Sequence, residues 1–185
     1  MVARELLGKR LVRVFDGQRA AGIIIESEAY DGEQDQACHA RSGKTARNAA
    51  MYGEAGRAYV YFTYGIHWIL NCVSGEDGYP AAVLIRAIHP AEGFNLIREN
   101  REGVERKSWC DGPAKLTKAL AITGEFNGID LCDPNSPLFI EEGILFEDEE
   151  VQTTPRIGIE NTPEPWLSQP WRFIAHSSLV NGDLL

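Results

Sequence analysis

Alternating apolar and polar residues run through the first half of the chain and predict two hairpins. Lys9–Phe15 (KRLVRVF) and Ala20–Tyr30 (AAGIIIESEAY) read as strands joined at Asp16-Gly17, a pair suited to the left-handed backbone of a tight turn. AYVYFTYG is followed at once by IHWILNCV, which places Tyr64 at a hairpin tip and Tyr59 with Tyr61 on one face below it. An apolar run, AAVLI, then closes on Arg86. Ahead of these, ARELL followed by Gly8 predicts the last turns of a short helix with a glycine cap.

The spacing changes after Arg86. Phe94, Ile97 and Arg101 recur at helical intervals in a segment that opens with Pro90, so an amphipathic surface helix is expected there. Asp111-Gly112-Pro113-Ala114-Lys115 opens a second helix, with Leu116, Ala119 and Leu120 inward and its end near Gly124. Its start offers free N–H groups to a phosphate, with Lys115 and Lys118 adding charge. Short strands (GIDLCD, LFIEEG, ILFEDEE) and a proline-rich tail complete the chain. The expected fold is α+β: one domain over residues 1–185, a curved, mostly antiparallel, open barrel-like sheet with flanking helices and a protruding β-hairpin.

Two features are costly for such a fold. Glu26 and Glu28 lie on a strand that begins with three isoleucines, and Arg86 ends an apolar strand. Buried unpaired charge is expensive, so these groups are expected to meet one another. Residues i, i+2 and i+4 of a strand share a face, which puts Glu26, Glu28 and Tyr30 together and Ile25, Ser27 and Ala29 opposite. Residues 31–51 lose all periodicity, and a connection this long inside a domain is usually functional. It carries His39, Arg41 and Arg47.

Composition bounds the function. The chain has 185 residues, and no apolar run approaches the roughly 20 residues of a membrane span. The N-terminus lacks the apolar core of a signal peptide, so a soluble, cytoplasmic protein without a membrane partner is expected. Cys38, Cys72, Cys110 and Cys132 form no CxxC pair and have no matching histidine spacing, so neither a zinc site nor a disulfide framework is expected. The net charge of −9 opposes nucleic-acid binding, but it is segregated. Six acids and no bases fall between Glu141 and Glu150, an acidic solvated stretch, whereas His39–Tyr52 holds Arg41, Lys44 and Arg47 with no acid. A basic contact face on an acidic body is therefore allowed.

The blocks ESEAYDGEQDQACHARSGKTARN, MYGEAGRAYVYFTYGIHWILN, VLIRAIHP, DGPAKLTKALAI, PRIGI and PWRF, in that order, resemble the alkyladenine (3-methyladenine) DNA glycosylase family and span roughly Ala3 to Phe173. The resemblance implies a monofunctional base-excision repair enzyme, probing double-stranded DNA as a monomer without metal or cofactor, that flips a damaged purine out and hydrolyses its N-glycosidic bond. It implies that Glu28 is the general base and that Arg86 holds the attacking water with it. Tyr30, His39 and Tyr61 correspond to the walls of the base pocket, and Asn71 to an amide near the purine's minor-groove edge. Tyr64 corresponds to the residue wedged into the duplex, and the helix with Lys115 and Lys118 to an element gripping the DNA backbone. Family members carry more chain before the first helix, which is therefore expected to be poorly anchored here.

The residue types suit that chemistry independently. Nucleoside hydrolysis passes through an oxocarbenium-like sugar, for which a carboxylate can both deprotonate water and stabilise positive charge. Aromatic walls suit an electron-poor or cationic purine. Arg41 and Arg47 fit phosphate contacts after the pocket wall; His67, just past the hairpin tip, fits either a DNA contact beside Tyr64 or an exposed strand position, and His89 and His176 read as structural. Arg156 and Arg172 could hold either phosphate or a core carboxylate. Two other readings remain: a DNA-damage-binding protein that does not cut, and a hydrolase of free nucleosides, which would have no use for Tyr64.

Overall fold

A computed structural model describes residues 1–176, 178 and 180. The first hairpin forms as its turn residues dictate. Strands β1 (Arg10–Phe15) and β2 (Gln18–Asp31) pair antiparallel from Arg10↔Ile23 to Phe15↔Gln18. Between them Asp16 (φ 44°) and Gly17 (φ 82°) both take the left-handed conformation, whose twist matches that of the strands. The second hairpin, β3 (Ala58–Thr63) and β4 (His67–Val73), pairs Ala58↔Cys72 through Thr63↔His67 and carries Tyr64 at its tip. Strand β5 (Ala81–Glu92) joins the two hairpins by pairing with both β4 and β2.

The sheet runs β3-β4-β5-β2-β1-β6, with β6 at Leu138–Glu141. Fourteen residues of β2 serve two partners along one edge: its first half pairs with β1, and its second with β8 (Arg172–Ala175), which in turn pairs with β7 (Val151–Thr154). Three register shifts between β2 and β5 add local twist, so the antiparallel sheet curls into a half-barrel. Its apolar face packs on a core that includes Leu11, Ile23, Ile85, Leu116 and Leu120. Helix α3 (Pro113–Ala119) covers β4 and β5, and α2 (Phe94–Asn100) packs on α3.

Several expectations are corrected. Helix α1 (Val2–Glu5) is a single turn but is well anchored. Ala3 and Leu7 are buried, Ser27 Oγ donates to Ala3 O (2.6 Å), and Arg4 donates to Phe146 O (2.7 Å) and Asp148 (3.0 Å). Pro90 does not start a helix. Strand β5 continues through it to Glu92, because the proline sits beside a register shift where its missing N–H costs little. The turn into α2 comes at Gly93 (φ 70°), and a side chain there would meet the backbone of Arg19 and Ala20. Arg101 lies just past the end of α2, and α3 ends at Ala119 rather than near Gly124.

GIDLCD contributes only an isolated bridge between Arg57 and Asp130, and ILFEDEE is irregular before a short 3₁₀ turn at Asp148–Glu150. The acidic stretch is exposed as expected at Glu142, Glu147, Asp148 and Glu149, and three of its acids also pair with bases. Glu141 pairs with Arg19 (2.6 Å) and Arg10 (3.6 Å), Glu142 with Lys9 (2.5 Å), and Asp148 with Arg4, so these acids fasten the sheet edge to the N-terminus. Strands β7 and β8 were not expected. Four residues each, in proline-framed sequence, are too short to show a period, and the open edge of β2 provides their template.

Candidate active site

The site is built where β2 meets β5. Glu26 pairs with Ala87 and Ser27 with Ile85, which leaves Arg86 as the extra residue of a bulge. A bulge re-aims its side chain, and Arg86 turns across β2 to reach both acids. Its Nε donates to Glu26 Oε1 (2.7 Å) and its Nη1 to Glu28 Oε2 (3.2 Å). Arg172 Nε reaches the same Glu26 oxygen (2.6 Å), with its Nη1 on Thr154 Oγ1 (3.3 Å). The expected meeting of the charges is thus present, and Arg172 holds a core carboxylate.

Glu28 is fully buried. Tyr30 donates its hydroxyl to Glu28 Oε2 (2.9 Å), and the backbone N–H of Ile157 donates to Oε1 (2.8 Å). Burial pushes this carboxyl above the usual carboxylate range, while Arg86, the Ile157 N–H and the Tyr30 hydroxyl pull it back and nearby Glu26 raises it. Burial would lower Arg86, but Glu28 and Glu26 outweigh it and the guanidinium is held more firmly charged.

A cavity of about 250 Å³ opens against this cluster, smaller than a drug-sized site and on the scale of one heterocyclic base. Its walls include Tyr30, His39, Tyr59, Tyr61, Asn71 and Arg86, with Pro113 of α3 and the segment Ile157–Ile159 completing them and Tyr64 at the rim. Glu28 itself lies just behind the lining, covered by Tyr30, Arg86 and Ile157.

The ring cluster is held from behind. His39 Nδ1 is 2.9 Å from the Tyr59 hydroxyl, and the His39 and Tyr61 rings meet edge to face with centroids 4.5 Å apart. Asn48 donates to the carbonyls of His39 and Gly43 (3.0 Å each), which shapes the aperiodic loop around the histidine. Asn71 is buried and donates to Tyr59 O (3.1 Å). Burial, then the charges of Arg47 and Arg41, lower the His39 pKa, so its imidazole is neutral at pH 7. Burial pushes the Tyr61 hydroxyl up to about 12, and Tyr30 is raised well above its ordinary value by burial and then by Glu28.

Of the remaining candidates only Tyr64 belongs to the cavity lining. Tyr64 is 88% exposed and Ile66 69%, so the hairpin tip projects outward. Arg47 donates to Phe62 O (3.2 Å) with its guanidinium 5.5 Å from the Tyr61 ring centroid, and exposed Arg41 donates to Gln36 O (2.9 Å). Lys118 is exposed, whereas Lys115 is engaged by Asp111 (2.9 Å), so the start of α3 is less positive than expected. His67 and His176 are exposed and lie outside the cavity lining.

Sequence reasoning did not assign the Ile157 N–H, the Tyr59 hydroxyl or the partner of Arg156. A backbone donor leaves no side-chain signature. The partner of Arg156, Asp35, sits in the stretch where periodicity vanishes. All four cysteines are free thiols, and among the described residues no group of three His, Cys, Asp or Glu side chains is placed to hold a metal ion. Among the same residues no helix is long and apolar enough to cross a membrane.

Comparison with known proteins converges on one family. A family model described as methylpurine-DNA glycosylase matches residues 1–179. A relative from Methanocella arvoryzae is 46% identical over 178 residues, covering 96% of this chain and 87% of its own. One from Carboxydothermus hydrogenoformans is 46% identical over 159 residues (86% and 82%), and one from Bacillus subtilis 44% over 173 residues (93% and 85%). All three carry the provisional name 3-methyladenine DNA glycosylase.

Proposed function

The chain belongs to the methylpurine-DNA glycosylase family and is a DNA glycosylase, and from that premise we propose that it excises alkylated purines of the 3-methyladenine type from duplex DNA by base flipping, with hypoxanthine as a second substrate class. Family membership sets aside both the damage-binding protein that does not cut and the hydrolase of free nucleosides. The enzyme acts as a monomer.

The observation that carries the mechanism is the buried carboxylate of Glu28, held by Arg86 against a cavity walled by rings. A carboxylate offers about four acceptor positions, and three are filled by Ile157, Tyr30 and Arg86. The fourth, on Oε1, takes the attacking water, with Arg86 beside it. Glu28 removes a proton from that water as its oxygen bonds to C1′ of the deoxyribose. The N-glycosidic bond breaks, its electron pair leaves with the base, and the products are a free purine and an abasic site. The carboxylate also stabilises the positive charge that develops on the sugar.

Selectivity follows from the walls. Tyr30 and Tyr61 line the cavity, where stacking on an aromatic ring favours an electron-poor or cationic purine, and a neutral His39 does not repel it. Asn71 reads the minor-groove edge of the base. A damaged base also costs less to unstack than a normal one and leaves the sugar more readily. Tyr64 fills the space the flipped nucleotide vacates, and Arg41, Arg47, Lys115 and Lys118 contact phosphates, Lys115 by exchanging Asp111 for the DNA backbone.

Glu28→Gln tests the reading directly. Single-turnover base release should fall by about 10²- to 10⁴-fold while affinity for the lesion duplex is kept. Release at the wild-type rate would remove Glu28 as the base.

A further inference from the structure

A second buried ion pair lies behind the cavity, and the excision chemistry proposed above makes no use of it. Arg156 donates from Nη1 to Asp35 Oδ2 (2.5 Å) and from Nη2 to Asp35 Oδ1 (2.9 Å), with both side chains fully buried. The same guanidinium reaches the carbonyls of Ala29 (3.0 Å) and Trp166 (3.3 Å) and lies over the rings of Tyr30 (4.7 Å) and Trp171 (5.0 Å). Asp35 in turn accepts the backbone N–H groups of Ala37 (3.0 Å) and Asp31 (3.3 Å). One planar cation thus ties together the end of β2, the loop leading to His39 and the tail segment after β7.

The position of this cation matters for Glu28. Tyr30 and Ile157 line the cavity but Arg156 does not, so the guanidinium backs the wall rather than facing a substrate. Ile157 follows Arg156 directly, and its N–H is the donor on Glu28 Oε1 (2.8 Å). The peptide plane joins the Arg156 carbonyl to the Ile157 N–H, so anchoring the Arg156 side chain beside it narrows the backbone torsions, and with them the directions, open to that N–H. A well-packed apolar pair could fill the same space at no greater cost, and a buried bidentate pair is therefore better explained by the geometry it imposes.

We propose that Arg156, braced by Asp35, is a positioning residue for base excision: the pair aims the Ile157 amide at Glu28 and so holds the carboxylate in its working orientation. The proposal rests on the reading of Glu28 as the general base. The Ile157 N–H is also one of the three groups that oppose the effect of burial on Glu28. Loosening it leaves burial less opposed, and the carboxylate then takes up its proton at higher pH. The other charged or titratable groups facing Glu28 are Glu26 and Tyr30 on β2, Tyr61 on β3, Arg86 on β5 and Arg172 on β8. Arg156→Lys leaves all of them in place and keeps the net charge, replacing only the fork by a point charge.

The experiment compares the wild type, Arg156→Lys, Asp35→Asn and Glu28→Gln on a duplex with one defined lesion. Single-turnover release is followed across pH, with thermal melting and amide-proton exchange at Ile157. For Arg156→Lys, release at neutral pH should slow by about a hundredfold or less, the scale of a small misplacement of a reacting group. Its acid limb should move to higher pH, and Ile157 should exchange faster in a protein that still melts cooperatively. Either an unmoved acid limb or unchanged Ile157 exchange would overturn the proposal and leave the pair as a fastening for the tail. If Arg156→Lys does not fold, Asp35→Asn is judged by the same readouts, and unfolding of both would show a global core contact instead of a local brace. Glu28→Gln separates the two ideas. Persistent release in that variant removes the base assignment, whereas an inactive Glu28→Gln beside an Arg156→Lys with the wild-type limb removes only the brace.

Discussion

Tyr64→Gly separates the wedge from the fold. Tyr64 is 88% exposed and sits at φ 51°, next to Gly65 at φ 69°. An L side chain in the left-handed region costs about 1–2 kcal/mol, which glycine does not incur. Against this, glycine adds about 0.4–1 kcal/mol of conformational freedom to the unfolded chain. With so little of the ring packed against the protein, the balance runs from near zero to about 1.5 kcal/mol in favour of the variant. Denaturant melting should therefore show an unchanged or slightly more stable protein.

DNA should respond in the opposite direction. Losing an aromatic stacked on a base costs about 1–3 kcal/mol, so release of a paired lesion should slow roughly 5- to 150-fold. The same lesion in a single strand should be cleaved nearly as before, because nothing has to be unstacked. Equal losses on single and double strands would refute the wedge. Destabilisation beyond about 1 kcal/mol would show instead that the ring supports the hairpin.

Other outcomes follow from the same geometry. Glu28 has a raised folded-state pKa, so its contribution to stability is present below its unfolded pKa and lost as pH rises through the folded value. Excision has the opposite sense, with an acid limb above the ordinary carboxylate range, and a limb at the ordinary value would contradict the burial argument. Arg47→Ala should weaken binding to all DNA sequences alike and lower the salt slope by about one phosphate contact. The same substitution removes a charge that lowers His39, so the imidazole should titrate at higher pH by NMR, and an unmoved His39 would count against that coupling. Ala121→Gly relieves a left-handed alanine (φ 47°) just past α3 and should raise stability by up to about 1 kcal/mol without changing excision, as melting and single-turnover assays would show.

Local rules account for what was legible in the chain. Asp16-Gly17 specified a tight turn because few residues accept two consecutive left-handed conformations, and the turn in turn fixes the register of β1 on β2. Period-two alternation put Glu26, Glu28 and Tyr30 on one face, and the price of isolated buried charge made Arg86 their partner. The helix at Pro90 failed for the converse reason. Proline at a helix start is a local preference, and it yields where a neighbouring strand offers a bulge.

The residues alone therefore determined which chemical groups are present, the two hairpins that carry most of them, and the expense of leaving the acids unpaired. Tertiary structure decided how they meet. Arg86 reaches Glu28 because the pairing of β2 with β5 is irregular between Ile24↔Ile88 and Ser27↔Ile85, leaving Ile25 and Arg86 unpaired, and a register shift is settled by pairing across the whole sheet. The Ile157 N–H arrives from 129 positions away, on a tail segment fastened by a salt bridge to Asp35. Contacts so distant along the chain depend on how the sheet curls, and no local pattern of side chains encodes them.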